Sequence, residues 1–355
     1  MMQRRRTRQI NVNGVGVGSD FPITVQTMTN SNTEDIGATL IQIHDAAEAG
    51  CNLIRVSCPT KASTQALRDI VKLSPIPVIA DIHFHYKRAL EALDATAACV
   101  RINPGNIAPS DIAEIVSAAR YNGAAIRIGI NSGSLEESVL KKYGEPTAVA
   151  IVESAVSHCH RLEDLGFTNF KVSVKSSDVR TMITAYRQLS NEIGYPLHLG
   201  VTEAGPVIPG TIKSAIGIGA LLADGIGDTI RVSLSGSIID EVNVGQQILK
   251  SLGLLANCVN VVSCPTCARS NIDVIQIASA LEQHCSTIQK AIKISVLGCV
   301  VNGIGEAKNV DIGVFGFTDG IAKVYVRGEE YDTVTDDHVI ETVLDILNNL
   351  ESPEN

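Results

Sequence analysis

The sequence predicts an α/β fold, an N-terminal (β/α)8 TIM barrel followed by a small α/β domain, on three observations. From residue 22 to about residue 255, a short β-branched run, a polar or glycine-containing turn and an amphipathic helical stretch recur as one pattern. The pattern yields eight strand segments in about 235 residues, the size and order of a (β/α)8 barrel. Past residue 255 the composition shifts, and about 100 residues remain, enough for a separate small domain.

Gly14, Gly16 and Gly18 alternate ahead of the first strand, which suits a hairpin sealing the barrel floor; their spacing is not the GxGxxG of a dinucleotide loop. The strand segments are 23–28, 52–58, 77–84, 99–103, 124–130, 169–175, 196–202 and 228–234. Helical segments follow, such as 35–49, 110–121, 147–165 and 242–252, and Gly50, Gly123, Gly166 and Gly194 stand where helices end. A doubly wound sheet is the alternative, but it has fewer strands and a glycine-rich loop after its first, which this sequence lacks. In the small domain, residues 257–262 lead into cysteines, a helix is expected over 271–283 and a strand over 292–297. A glycine-rich stretch over 298–316, a hairpin turn at Asp319-Gly320, a strand over 323–327 and a helix over 337–349 complete it. The domains are placed at 1–255 and 256–355.

With 45% apolar and 19% charged residues, no tryptophan, seven tyrosines and six phenylalanines, the core is aliphatic and closely packed, and a disordered chain is excluded. No apolar run approaches a membrane span, and Arg4, Arg5, Arg6 and Arg8 are not followed by the apolar core of a secretory signal. A cytoplasmic protein without a membrane partner is expected. The net charge of -9 argues against nucleic acid held on a broad basic face, so any positive site is local. Nine cysteines, an odd number, do not suit a secreted disulfide scaffold; a close pair points to metal or redox chemistry.

In such a barrel the C-terminal ends of the strands face the active site. The polar residues there are Gln26, Arg55, Ser57, Asp81, His83, Arg101, Asn103, Arg127, Asn131, Lys175, Glu203, Arg231 and Ser233. Arg55, Arg101, Arg127, Lys175 and Arg231 sit in otherwise apolar runs, such as LIRVS and IRIGIN. Any one could be a strand cation paired with a carboxylate, but together they exceed the nearby acids, chiefly Asp81 and Glu203. Such a ring wants an anion with several charges, a diphosphate or bisphosphate, with the SLSGS segment from Ser233 to Ser237 adding hydroxyls and amides. Glu203 either neutralises an arginine or holds a substrate hydroxyl. His83 and His85 form an HxH that suits substrate hydrogen bonding better than a metal, because the later strands bring cations; His158 and His160 are expected on a helix surface.

Cys264 and Cys267 lie in SCPTCAR at an expected strand-to-helix turn, and Cys299 follows a strand in VLGCVVNGIGEA. Structural zinc usually takes four ligands, and a redox pair leaves Cys299 unexplained. A 4Fe-4S cluster held by three cysteines, with one iron exchangeable or oxygen-ligated, suits the count. The other cysteines are expected as small buried hydrophobes, Cys58 being the one at a strand end.

Taken together, TRQINV, VQTMTN, ADIHF, RINPGN, RIGINSGSL, VSVKSSD, GVTEAG, IRVSLSG, SCPTCAR and GCVVNGIGEA, in this order, make the chain resemble the 4-hydroxy-3-methylbut-2-enyl diphosphate synthase family of isoprenoid biosynthesis, in its two-domain bacterial form. The resemblance implies reductive ring opening and dehydration of 2-C-methyl-D-erythritol 2,4-cyclodiphosphate, with electrons from ferredoxin or flavodoxin. It implies a 4Fe-4S cluster on Cys264, Cys267, Cys299 and Glu306, although the residues alone make Glu306 a loop carboxylate. Arg55, Arg101, Arg127, Asn131, Lys175, Arg231 and Ser233 would hold the cyclic diphosphate, with His83 and Asn103 beside them and Glu203 facing the carbon skeleton. A homodimer is implied, the cluster domain of one subunit capping the barrel of the other. The rival readings are a zinc-stapled phosphate-binding transferase similar to pterin-binding synthases, and a non-enzymatic iron-sulfur sensor.

Overall fold

The computed structural model describes residues 3–83, 85–255, 257–286 and 288–350. Two compact units divide between Leu254 and Leu255; Ala256, where the sequence sets the second domain's start, lies outside the described residues.

In the first unit a hairpin of β1 (Ile10–Val12) and β2 (Val15–Val17) precedes the barrel. The barrel then runs β3 (Thr24–Met28), α1 (Ile36–Glu48), β4 (Leu53–Ser57), α2 (Lys61–Leu73), β5 (Val78–Asp81), α3 (Tyr86–Asp94) and β6 (Cys99–Ile102). It continues with α4 (Pro109–Tyr121), β7 (Ala125–Asn131), the short α5 (Glu137–Tyr143), α6 (Ala148–Asp164), β8 (Phe170–Lys175) and α7 (Val179–Glu192). The last units are β9 (His198–Leu199), α8 (Val207–Ala223), β10 (Thr229–Ile230) and α9 (Ile238–Ser251). Strand order is β8-β7-β6-β5-β4-β3-β10-β9, all parallel, and a parallel bridge between Val172 and Leu197 joins the two ends.

Directly paired strand residues share a face, so the ladder sets what points inward. Asp81 pairs with Arg101, Arg101 with Arg127, Arg127 with Lys171, and Asn131 with Lys175. Below them Ile10, Val12 and Val17 of the hairpin pack against Leu53, Ile79, Cys99 and Ala125, so the floor is closed by apolar contact. The arginine-rich N-terminus staples the same end: Arg4 donates to Asp228 Oδ1 at 2.9 Å, and Arg5 to the carbonyls of Ile193 and Tyr195 at 2.5 and 2.6 Å.

Strands seven and eight shrink from the expected 196–202 and 228–234 to two residues each. Gly200 explains part of this. A Cβ there would meet the Arg231 carbonyl and Lys175 Nζ, both at 2.6 Å, so the chain leaves the ladder where a bare backbone admits them. Phe84, the expected end of the third strand, lies outside the described residues.

The second unit is a five-stranded sheet in the order β11 (Val259–Ser263), β12 (Ile292–Leu297), β13 (Ile312–Thr318), β14 (Ile321–Val326), β15 (Glu329–Thr335), the first three parallel and the last two antiparallel additions. Helices α10 (Val274–Cys285) and α12 (Val339–Asn349) join its main core, around Leu281, Ile294, Val314, Val324 and Val343. Helix α11 (Val300–Ala307) forms inside the expected glycine-rich stretch, with Ala307 against Leu297 and Phe315. No helix among the described residues is long and apolar enough to cross a membrane.

Candidate active site

Arg55, Arg101, Arg127 and Lys175 are all buried inside the barrel, and the Arg231 side chain is 15% exposed. Asp81 at the end of β5 gathers two of them together with His83: Arg101 Nη1 lies 3.3 Å, Arg55 Nε 3.8 Å and His83 Nε2 3.6 Å from its oxygens. Burial by itself would raise the Asp81 carboxyl, but Arg55, Arg101, His83 and Arg127 outweigh it and hold it at about 2. Arg101 also reaches the Gly129 carbonyl at 3.5 Å. Gly129 makes room for it, since a Cβ there would lie 2.5 Å from Arg101 Nε. The Asn131 amide, turned as its neighbours require, accepts from Arg101 Nη2 at 3.2 Å.

Arg231 finds a partner the sequence did not suggest. Glu241, buried on α9, takes Arg231 Nη2 at 3.4 Å on each oxygen and also accepts from Thr27 Oγ1 at 2.5 Å and Leu234 N at 3.0 Å. Its helix position hides it from any reading of strand ends. Lys171 is the second omission: fully buried, directly across from Arg127, with no hydrogen-bond partner for its Nζ among the described residues. Burial, with help from Arg127, pulls it down to about 8. Its signal was present in the period of two that also places Ser173 and Lys175 inward.

The remaining interior is electropositive. Burial and then repulsion from Arg55 and Arg101 lower Arg127, whose Nε and Nη1 have no hydrogen-bond partner among the described residues; burial and then Arg127, Arg231, Arg55 and Arg101 lower Lys175. Buried His198, which touches Thr229 Oγ1 at 2.6 Å, is kept neutral by burial and then by Arg127, Lys175, Lys171 and Arg55. Such an interior is short of negative charge and suited to a polyanion.

Around the rim, His83 is half-exposed, Ser233 half-buried, and buried Asn103 donates to Ser134 Oγ at 3.0 Å and its carbonyl at 3.3 Å. Glu203 stands outside the cation ring. It is exposed, makes no ion pair among the described residues, and adopts a left-handed φ of 52°, a strained conformation for a non-glycine residue. The expectation that His158 and His160 both lie on the surface is half corrected: His160 is exposed, but His158 is buried against Glu136 because α6 turns that face onto the segment that precedes it.

In the small unit the three sulfurs lie at neighbouring strand ends. Cys264 follows β11 and accepts from Gly298 N at 3.2 Å; Cys299 is the N-cap of α11; Cys267 is exposed. Asn271 N donates to Gly298 O at 2.8 Å and ties the two segments together. Thr266, between the first two cysteines, has φ 52°, again an outlier for its type. SCPTCAR lies in the connection from β11 to α10, as expected, with α10 starting at Val274 rather than at residue 271; the helix that begins at a cysteine is α11. One expectation needs correction here. Glu306 is not a loop carboxylate but lies exposed on α11, the helix that Cys299 caps seven residues earlier. Thiols and a carboxylate on tied segments fit a soft, thiolate-held metal group, although no three His, Cys, Asp or Glu side chains stand at ligand geometry among the described residues. Cys58 lies outside this set: burial, then Asp81, pushes its thiol up to about 12.

Comparison with known proteins bears on both units. The family description GcpE TIM-barrel domain matches residues 7–246, and GcpE protein C-terminal domain matches 260–349. A relative from Zymomonas mobilis named 4-hydroxy-3-methylbut-2-en-1-yl diphosphate synthase (flavodoxin) is 55% identical over 96% of this chain and 92% of its own length. One of the same name from Hyphomonas neptunium is 52% identical over 98% and 91%. Among solved structures, type I 3-dehydroquinate dehydratase from Clostridium difficile covers 69% of this chain and 98% of its own, at TM-score 0.52 and 12% identity. Dihydropteroate synthase from Stenotrophomonas maltophilia covers 68% and 98%, at TM-score 0.50 and 13% identity. These last two show a shared barrel fold alone.

Proposed function

The chain belongs to the GcpE family, and on that premise we propose the reaction that its two sites carry out together. It is an oxidoreductase of isoprenoid biosynthesis that opens the ring of 2-C-methyl-D-erythritol 2,4-cyclodiphosphate and removes water, giving (E)-4-hydroxy-3-methylbut-2-enyl diphosphate. Reduced flavodoxin is the electron donor, as the relatives' names suggest.

One observation carries the substrate assignment: inside the barrel, Arg55, Arg101, Arg127, Lys171, Lys175 and Arg231 outnumber the carboxylates of Asp81 and Glu241. A cyclic diphosphate supplies the missing charge. Arg55, Arg101, Arg127, Lys175 and Arg231 hold its phosphate oxygens, Asn131, Asn103, His83 and Ser233 orient it by hydrogen bonds, and Glu203 meets the carbon skeleton. Arg127, buried and without a partner at two of its nitrogens among the described residues, loses least by binding, since its desolvation is already complete.

Cys264, Cys267, Cys299 and Glu306 would hold a 4Fe-4S cluster. Bound there, the cluster supplies electrons in single steps and an iron that is open to ligand exchange at Glu306. The backbone N–H of Gly298 donates to the Cys264 sulfur at 3.2 Å, a bond that would orient this ligand. Neither a zinc-stapled transferase nor a sensor accounts for membership of this family together with the cationic barrel.

The functional unit is a homodimer in which the small domain of one subunit caps the other's barrel. In support, α8 exposes Ile208, Ile212 and Ile216 in one stripe, and Val301 and Ile304 are exposed beside the cysteines, both apolar surfaces that call for cover.

The test is anaerobic purification followed by iron and sulfide analysis, visible spectroscopy and turnover of the cyclodiphosphate with reduced flavodoxin. A brown protein that turns over is expected. A colourless, zinc-loaded protein that does not turn over even after cluster reconstitution would overturn the assignment.

A further inference from the structure

Glu136 lies in the loop between β7 and α6, away from the ladder that carries the cations, yet its carboxylate is engaged on both oxygens. One contacts His158 Nε2, and the other accepts from Ser154 Oγ at 2.8 Å. Ser154 and His158 are one turn apart on α6, so a single helix face grips the carboxylate. His158 Nδ1 is buried without a partner among the described residues, which makes Glu136 the ring's polar attachment. Burial would raise the Glu136 carboxyl, but the bonds from His158 and Ser154 prevail and hold it at about 2, so it stays ionised.

The same loop is locked to its neighbour. Asn103 after β6 donates to Ser134, two residues before Glu136, and a Cβ on Gly105 would lie 2.9 Å from Glu136 Cγ. Upstream, Asn131 accepts from Arg101 at 3.2 Å. An unbroken series of contacts thus runs from α6 through Glu136 and Ser134 to Asn103, and along the loop to Asn131 and Arg101.

We propose that Glu136, gripped by Ser154 and His158, is a positioning residue that holds the β6 and β7 loops as one unit and so sets the place of Asn103, Asn131 and Arg101 for the diphosphate. The inference rests on the proposed reading of the barrel as a cyclic-diphosphate site. Glu136 does not touch the substrate. Its loss leaves Arg55, Arg127, Lys175 and Arg231 in place but frees Asn103, Asn131 and, through Asn131, the guanidinium of Arg101, which weakens binding more than it slows the chemical step.

The experiment compares Glu136→Ala, Glu136→Gln, Ser154→Ala and Arg127→Met as cluster-loaded holoenzymes, measuring KM and kcat separately. For Glu136→Ala, KM rises about tenfold with kcat within about twofold. Glu136→Gln keeps both hydrogen bonds and restores KM to within about twofold of the parent. Ser154→Ala, which removes one bond, gives about a threefold rise in KM and decides the matter if Glu136→Ala does not fold. An unchanged KM in Glu136→Ala and Ser154→Ala, with a raised KM in Arg127→Met, overturns the clamp while leaving the diphosphate site standing. An unchanged KM in Arg127→Met overturns the site itself, and the clamp with it.

Discussion

The barrel interior and the cysteine edge of the small domain hold their reactive groups under opposite conditions. In the barrel, Arg127 and Lys171 are fixed on paired strands, shut from water, and partly unpaired. At the cysteine edge the thiols are half-buried or exposed and free, and Glu306 projects from a helix surface. The first site is assembled by the fold at a cost in electrostatic energy that a bound anion would relieve; the second, on the proposed reading, would gain its order from the group it holds. Strained backbone marks both, at Glu203 beyond β9 and at Thr266 between the cysteines.

Four substitutions break or sharpen this contrast. Cys299→Ser has the largest effect: iron and sulfide are lost and turnover falls at least about a hundredfold, while the barrel's unfolding transition is unchanged. Retention of the full iron content would show the ligand set to be wrong. Arg127→Met should weaken substrate binding about a hundredfold, from two charge-assisted bonds of about 1.5 kcal/mol each, and yet stabilise the apo barrel by about 1–4 kcal/mol. Calorimetric titration and thermal melts measure the two, and a destabilised variant would contradict the account of a strained interior.

Lys171→Met isolates the buried charge by pH. The folded value of about 8 lies below the ordinary lysine value of about 10.4, so protonation favours the unfolded chain. The penalty is complete below about pH 8, shrinks as pH rises, and is gone above about pH 10.4, at a full size on the order of 3 kcal/mol. The variant should therefore be more stable near neutral pH and show a flatter stability curve across that window; parallel curves in denaturant titrations would refute it. Gly129→Ala is the mildest. The added methyl displaces the Arg101 guanidinium, raising KM about threefold to tenfold with little change in the cluster, and an unaltered KM would show that Arg101 has room to spare.

Much of this was legible in the residues. Alternation along LIRVS, RINPGN and RIGIN announces side chains on the inner face, and parallel ladders confirm Arg55, Arg101 and Arg127 there. The alternating glycines before the first strand announce the hairpin whose Val12 and Val17 close the floor. Glu241 was not legible, because its helical repeat carries no mark of the strand end it turns back toward. Glu306 misled for a local reason: glycines at 303 and 305 argue against a helix, yet α11 forms because Gly303 lets it press on Phe315, with a would-be Cβ at 2.5 Å.

By itself, then, the sequence determined the barrel and its companion domain, the alternation that turns Arg55, Arg101 and Arg127 inward, and which cysteines stand close together along the chain. Periodicity and spacing are properties of a single segment and need no partner to be read. The tertiary structure alone decided the pairings: Glu241 with Arg231, His158 with Glu136, and Lys171 with none among the described residues. Those depend on which segments, distant along the chain, close packing brings within hydrogen-bonding reach, and that reach decides whether a buried charge is a structural tie or a site still open to a ligand.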